Sequence, residues 1–253
     1  MSDIGVQSMA EPAVGLSQWQ RVSSIFTAPS KTFEDIKHGN RSWWLPFLLF
    51  VLIGSGLWVA VTKNVTWETV RDNGLRMAPK QAERLASLPP DQLQRQMEIT
   101  VTFQKLFWAM APVGVLVLDL IAAGILLATI NFAFGGRAKF GSVLAVIWYG
   151  GLPGLVKLIL GIIGLFAGVA PESFLPQNPA GTNLGYYLPP LDTNMFLYSL
   201  ATGIDVIVIW SLVLTSIGLS IVAGTKRSSG FIAVFGWWAI GSLFGAGIAA
   251  LTA

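Results

Sequence analysis

The chain has 253 residues, of which 53% are apolar and only 11% charged, against roughly 45–50% and 25% in an ordinary soluble domain. Its 16 Lys and Arg against 13 Asp and Glu leave a formal charge of +3, and along the sequence these basic residues form no dense cluster of the kind that tracks a nucleic-acid backbone or grips acidic lipid headgroups. Disorder and nucleic-acid binding are thereby excluded, and a sequence without Cys has no disulfides, thiolate metal sites or cysteine nucleophiles.

Residues 1–15 read as a disordered tail. From Leu16 the sequence turns amphipathic: Ser17 and Gln20 stand at capping-box spacing, and Leu16, Trp19, Val22 and Phe26 fall on one helical face. A second start follows at Pro29-Ser30, with Phe33 and Ile36 ahead of the basic Lys37 and Arg41, and Trp43-Trp44 stands where an aromatic belt is expected. Residues 16–42 are thus expected to form cytosolic interfacial helices. Their face of Leu16, Trp19, Val22 and Phe26 would meet a membrane surface or a partner, or pack on the ends of a helix bundle. No apolar core with a cleavage site precedes Trp44, so no signal peptide is expected.

A hydrocarbon layer of about 30 Å takes about 20 apolar residues. Runs of that length occur at about 44–61, 107–134, 143–169, 196–222 and 231–251. In lipid each must be helical, because its backbone N–H and C=O groups find no water. Residues 43–253 therefore predict an all-α, polytopic, five-helix transmembrane bundle whose first partner is the lipid bilayer. The first loop, Thr62 to Leu106, reads as helical outside the membrane: Pro79 and Pro89-Pro90 mark helix starts, and Leu93 and Met97 carry an apolar face toward Val101, giving one long helix from about Pro90 through the second span. The loop from Ala170 to Met195 holds five of the 13 Pro and reads as an ordered cap or a floppy strap.

Lys and Arg set the orientation. They occur in the N-terminal segment (Arg21, Lys31, Lys37, Arg41), the second loop (Arg137, Lys139) and the fourth (Lys226, Arg227), while the third has none. The N-terminus is therefore expected in the cytosol and the C-terminus outside. The first loop, with seven Lys or Arg, runs against this count, at a length near the limit beyond which charges cease to steer insertion.

Three ionisable residues fall inside spans, Asp119 and Lys157 near mid-span and Asp205 about four residues outward of its midpoint. Each costs about 2.5–3.5 kcal/mol on insertion scales, so each should face protein or water. At similar depth, Lys157 can pair with either acid and leaves the other over. The set then serves as an interhelical ion pair that fixes packing, or as a proton or ion path through the spare carboxylate. Small residues recur four apart at Gly56/Ala60, Gly124/Ala128, Gly150/Gly154, Gly164/Gly168 and Gly241/Gly245, offering close helix contacts within the bundle or with other membrane proteins or a second copy. Pro153, after Gly150-Gly151, should kink the third span.

The catalytic inventory is thin. His38 is the sole His, so a His-based metal cluster or a Ser-His pair is not available. Leu118-Asp119 and Gly203-Ile204-Asp205 match neither the Tyr-Asp nor the Gly-x-Gly-Asp pattern of intramembrane aspartyl proteases. No catalytic residue, cofactor or metal is expected.

Three ordered segments resemble the Yip family, polytopic proteins named for interacting with Ypt and Rab GTPases. They are Ile25-Phe26-Thr27-Ala28-Pro29-Ser30-Lys31-Thr32-Phe33-Glu34-Asp35-Ile36 followed by Trp44 and Pro46, the run from Phe140 through Tyr149 to Pro153, and Ile204-Asp205 through Trp210 to Gly218. Pro29, Phe33, Tyr149, Pro153 and Trp210 carry the likeness. The resemblance implies five helices, a cytosolic N-terminus and a non-enzymatic membrane organiser. The chain lacks the Asp-Leu-Tyr-Gly-Pro element of eukaryotic trafficking members, and its long polar first loop is similar to bacterial ones, so direct binding of a Rab-type GTPase is not implied. The expectation is a prokaryotic-type member in the plasma membrane that organises membrane or partner proteins. Its rival is a small ion, proton or solute transporter or channel using Asp119, Lys157 and Asp205.

Overall fold

A computed structural model describes residues 15–176, 178–189 and 193–252; the tail read as disordered lies outside the described residues apart from Gly15. Two short helices, α1 (Gln18–Thr27) and α2 (Pro29–Lys37), precede the first span. The capping box forms as its spacing requires: Ser17 Oγ accepts the Gln20 N–H, and the Gln20 side chain accepts the Ser17 N–H at 2.9 Å. Pro29 opens α2 at a position whose N–H would be unused in any case.

The spans follow. The first is α3 (Trp44–Asn64). In the loop after it, α4 (Trp67–Arg76) is a helix the spacing does not announce, while α5 (Pro79–Ala86) and α6 (Pro90–Ala128) begin at the expected prolines. At 39 residues, α6 is about 58 Å long, nearly twice a hydrocarbon layer, so it spans and protrudes. Its protruding part is held where Trp67 and Val70 of α4 bury against Val101 and Trp108. The helix ends in one wider π turn, Thr129–Ala133. The third span is two helices, α7 (Phe140–Gly150) and α8 (Gly154–Phe166), broken at Gly151–Pro153 as Pro153 predicts.

The fourth run differs from expectation. It is not one helix over 196–222 but α9 (Met195–Gly203) and α10 (Val206–Ala223), interrupted at Ile204-Asp205. The last span is α11 (Arg227–Thr252), which packs along both α9 and α10. Among the described residues five helical segments are long and apolar enough to cross a membrane, namely Trp44–Asn64, Pro90–Ala133, Phe140–Phe166, Val206–Ala223 and Arg227–Leu251. The protein is an all-α polytopic bundle. Phe107 is 75% and Phe132 90% exposed; side chains of that size left bare in series along a helix need lipid to cover them.

The core runs through α6, α7 and α10 and includes α2. Phe33 and Ile36 are fully buried with Leu144, Val146, Tyr149, Leu214 and Leu219. This contact needs a glycine on α10, since a Cβ at Gly218 would stand 2.6 Å from the Phe33 ring. Of the small-residue pairs, Gly150 does bring α7 onto Thr215 of α10, but Gly124, Gly241 and Gly245 meet nothing within 4 Å. Spacing alone identified residues that permit close approach, and the crossing points decided which ones use it.

Gly218→Leu should therefore lift α2 off α10 without touching the half of the bundle around the Ile204-Asp205 break. The expected result is rapid tryptic cleavage after Arg21, which is 1% exposed in the intact fold. Unchanged resistance at Arg21 would count against this packing.

Candidate functional site

Depth along the bundle can be read from contacts. Leu57 of α3 meets Gly161 of α8, so Lys157, one turn back, lies level with the middle of α3. There its ammonium donates to Asp205 Oδ2 at 2.8 Å. The same oxygen accepts the Thr182 hydroxyl at 2.7 Å. Oδ1 accepts the backbone N–H groups of Ile207 at 2.8 Å and Val208 at 3.3 Å, capping α10. Asp205 is fully buried, and both of its oxygens are occupied.

Thr182 arrives from the loop that follows α8. Its carbonyl accepts the Val206 N–H at 3.0 Å, and the Leu184 N–H donates to the Ile204 carbonyl at 3.2 Å. The loop and the helix break thus pair as one antiparallel bridge, Asn183 to Asp205. The physical need is plain: an unwound backbone where a span begins leaves orphan N–H and C=O groups, which cost several kcal/mol each where they are out of reach of water. Of the two readings of this proline-rich loop, its described residues fit the ordered cap.

Asp119 is not part of this arrangement, so the expected group of three is a pair plus one. It sits half-buried on α6 with no hydrogen bond or ion pair among the described residues. Three and seven residues further along the same face, Ala122 and Leu126 line a mostly apolar cleft of about 450 Å³. The break of the third span, Ser211 and Thr215 of α10, Trp237 of α11 and Lys157 line it too. Among the described residues no group of three or more His, Cys, Asp or Glu is placed to hold a metal.

A second buried charge lies at the other end of the bundle. Arg21 of α1 is 1% exposed. Its guanidinium stands 3.4 Å from Asp35 Oδ2, donates to the carbonyls of Asn40 at 3.0 Å and Ser42 at 3.2 Å, and lies 5.3 Å from the centre of the Tyr149 ring. Tyr149 in turn donates to Gln18 Oε1 at 2.6 Å, and Gln18 donates to Ser42. Arg21 and Ile25 point inward, whereas Trp19 is 64% exposed and Leu16 and Val22 are only partly covered. Phe26, also largely exposed, touches the bundle through an edge contact with Trp210 at 5.7 Å between ring centres. An apolar count assigns Arg to water; here four acceptor and ring contacts replace that water, and the helix rotates accordingly.

A family model described as the Yip1 domain matches residues 23–249, nearly the whole chain. The chain belongs to the Yip1 domain family. Comparison with curated proteins and with solved structures gave no match. Within this Yip1 domain the residues that carried the resemblance are packing residues: Pro29 starts α2, Phe33 fills the seam at Gly218, Tyr149 backs Arg21, Pro153 sits at the break of the third span and Trp210 meets Phe26. The helix break at Asp205 does carry a sequence signal, an N-cap residue directly before an apolar run. Thr182, 23 residues away, carries none.

Two outcomes follow for the polar groups. Asp205→Asn retains the cap but leaves the Lys157 ammonium unpaired, and should destabilise by about 3–5 kcal/mol, with Lys157→Met/Asp205→Asn recovering most of the loss; thermal unfolding in detergent measures the cycle. Asp119→Leu, by contrast, removes an unpartnered group worth about 2.5–3.5 kcal/mol on insertion scales, and should leave stability and yield in the membrane unchanged or raised. A large loss there would reveal a partner.

Proposed function

We propose that this Yip1-domain protein is a non-enzymatic organiser of the plasma membrane, with its N-terminus in the cytosol and its C-terminus outside, acting through the surfaces it presents to lipid and to other membrane proteins. The observation that carries this reading is the state of Asp205. A carboxylate that moved protons or ions would need a free lone pair and a wet route; this one is buried and satisfied by Lys157, Thr182 and two backbone N–H groups. Its work is to hold a broken span and a loop together. The absence of a nucleophile–base pair in the sequence favours a protein without turnover, cofactor or metal. The orientation rests on the loop charges. Its partners are sought among other membrane proteins or a second copy, and direct capture of a Rab-type GTPase forms no part of the proposal.

A transporter is the second reading, favoured by one feature: a helical run broken at Ile204-Asp205 beside a cleft that Lys157 reaches, as broken helices commonly line substrate sites. Purified protein in liposomes carrying a pH-sensitive dye decides between them. The organiser reading expects proton and ion leak equal to that of empty vesicles. A flux that disappears in a folded Asp205→Asn variant would sink it and establish transport.

A further inference from the structure

Along the sequence the basic residues are scattered, but the fold gathers four of them. Lys37 ends α2, Arg41 lies in the link to α3, and Arg137 and Lys139 lie in the turn between the second and third spans; together they line a pocket of about 370 Å³ closed by Ser142 and the end of α10. No Asp or Glu lines it. We propose that this pocket binds the phosphate of an anionic phospholipid headgroup, in the leaflet beside α1 and α2.

Four like charges around one cavity repel unless an anion answers them, and the chain supplies little. Lys37 has one exposed partner, Glu34 at 3.5 Å. Among the described residues the side chains of Arg41, Arg137 and Lys139 make no hydrogen bond or ion pair. The Nε of Arg41 is closed off from water with no acceptor, while its stem lies on Gly141, where a Cβ would be 3.3 Å from its Cδ. The guanidinium is thus held at the pocket by packing rather than by a protein anion. The carbonyl end of α10 offers partial negative charge, but the Ala223 carbonyl is already taken by the Arg137 N–H.

Two features favour a lipid over a dissolved phosphate. Arg41 stands two residues before Trp43-Trp44, the aromatic pair expected at the membrane interface, so the pocket opens near headgroup level. Arg137 and Lys139 are exposed at its rim, where a headgroup can slide in from the leaflet, and a cavity of this size holds a phosphate with its glycerol. Basic pockets at the ends of spans bind anionic headgroups by this chemistry.

The test uses the full chain in detergent, with lipid retention followed by native mass spectrometry. Phosphatidylglycerol should be retained in preference to phosphatidylcholine with the same acyl chains. Arg137→Gln/Lys139→Gln should weaken retention about 30-fold, from about 1 kcal/mol per cation near a headgroup, while Lys226→Gln/Arg227→Gln, outside the pocket, should change it little. Should the first double variant melt below the parent, Lys139→Gln alone serves, with about a fivefold loss. Equal retention of the two lipids, or equal loss in both double variants, would overturn the site. Glycerol phosphate competing as well as the lipid would overturn the lipid assignment in favour of a soluble phosphate.

Discussion

The rest of the bundle depends on one carboxylate at the start of the fourth span. A helix that stops inside a hydrocarbon layer must find partners for the backbone groups it frees, and Asp205 supplies them from a single side chain: one oxygen caps α10, the other gathers Lys157 and Thr182. The loop after α8 is drawn in for the same reason, since its backbone bonds with Val206 and Ile204 complete the set. Replacing the pair by apolar residues would leave the freed backbone unsatisfied, so here a buried ion pair specifies a conformation as well as filling space.

The same rule governs the opposite end. Arg21 is buried because Asp35, two carbonyls and the Tyr149 ring surround it, and through it α1, α2 and the start of α3 are tied to α7. The two polar anchors join elements that are far apart in the chain, while apolar packing between them needs glycine at Gly150 and Gly218. Asp119, without a partner, is the exception that shows the rule is not imposed on every charge in the spans.

A membrane protein held together in this way has its chemistry turned inward and spent on structure. What it offers outward is a lipid-facing surface rich in large apolar side chains, an exposed Trp19 and a basic pocket. On the proposed reading these are its means of recognising membranes and neighbours.

Much of the architecture was legible in the residues themselves. Twenty apolar residues in a row demand a helix in lipid, a Ser followed three residues on by Gln caps one, and Pro79, Pro90 and Pro153 start or break helices by covalent geometry; these are local rules, and local sequence satisfies them. Which acid would take Lys157, whether α1 would turn Arg21 inward, and that Lys37, Arg41, Arg137 and Lys139 would share a pocket were decided only by the fold. Each depends on a partner tens of residues away, and a charge carries no mark in the sequence of the acceptor that will eventually replace its water.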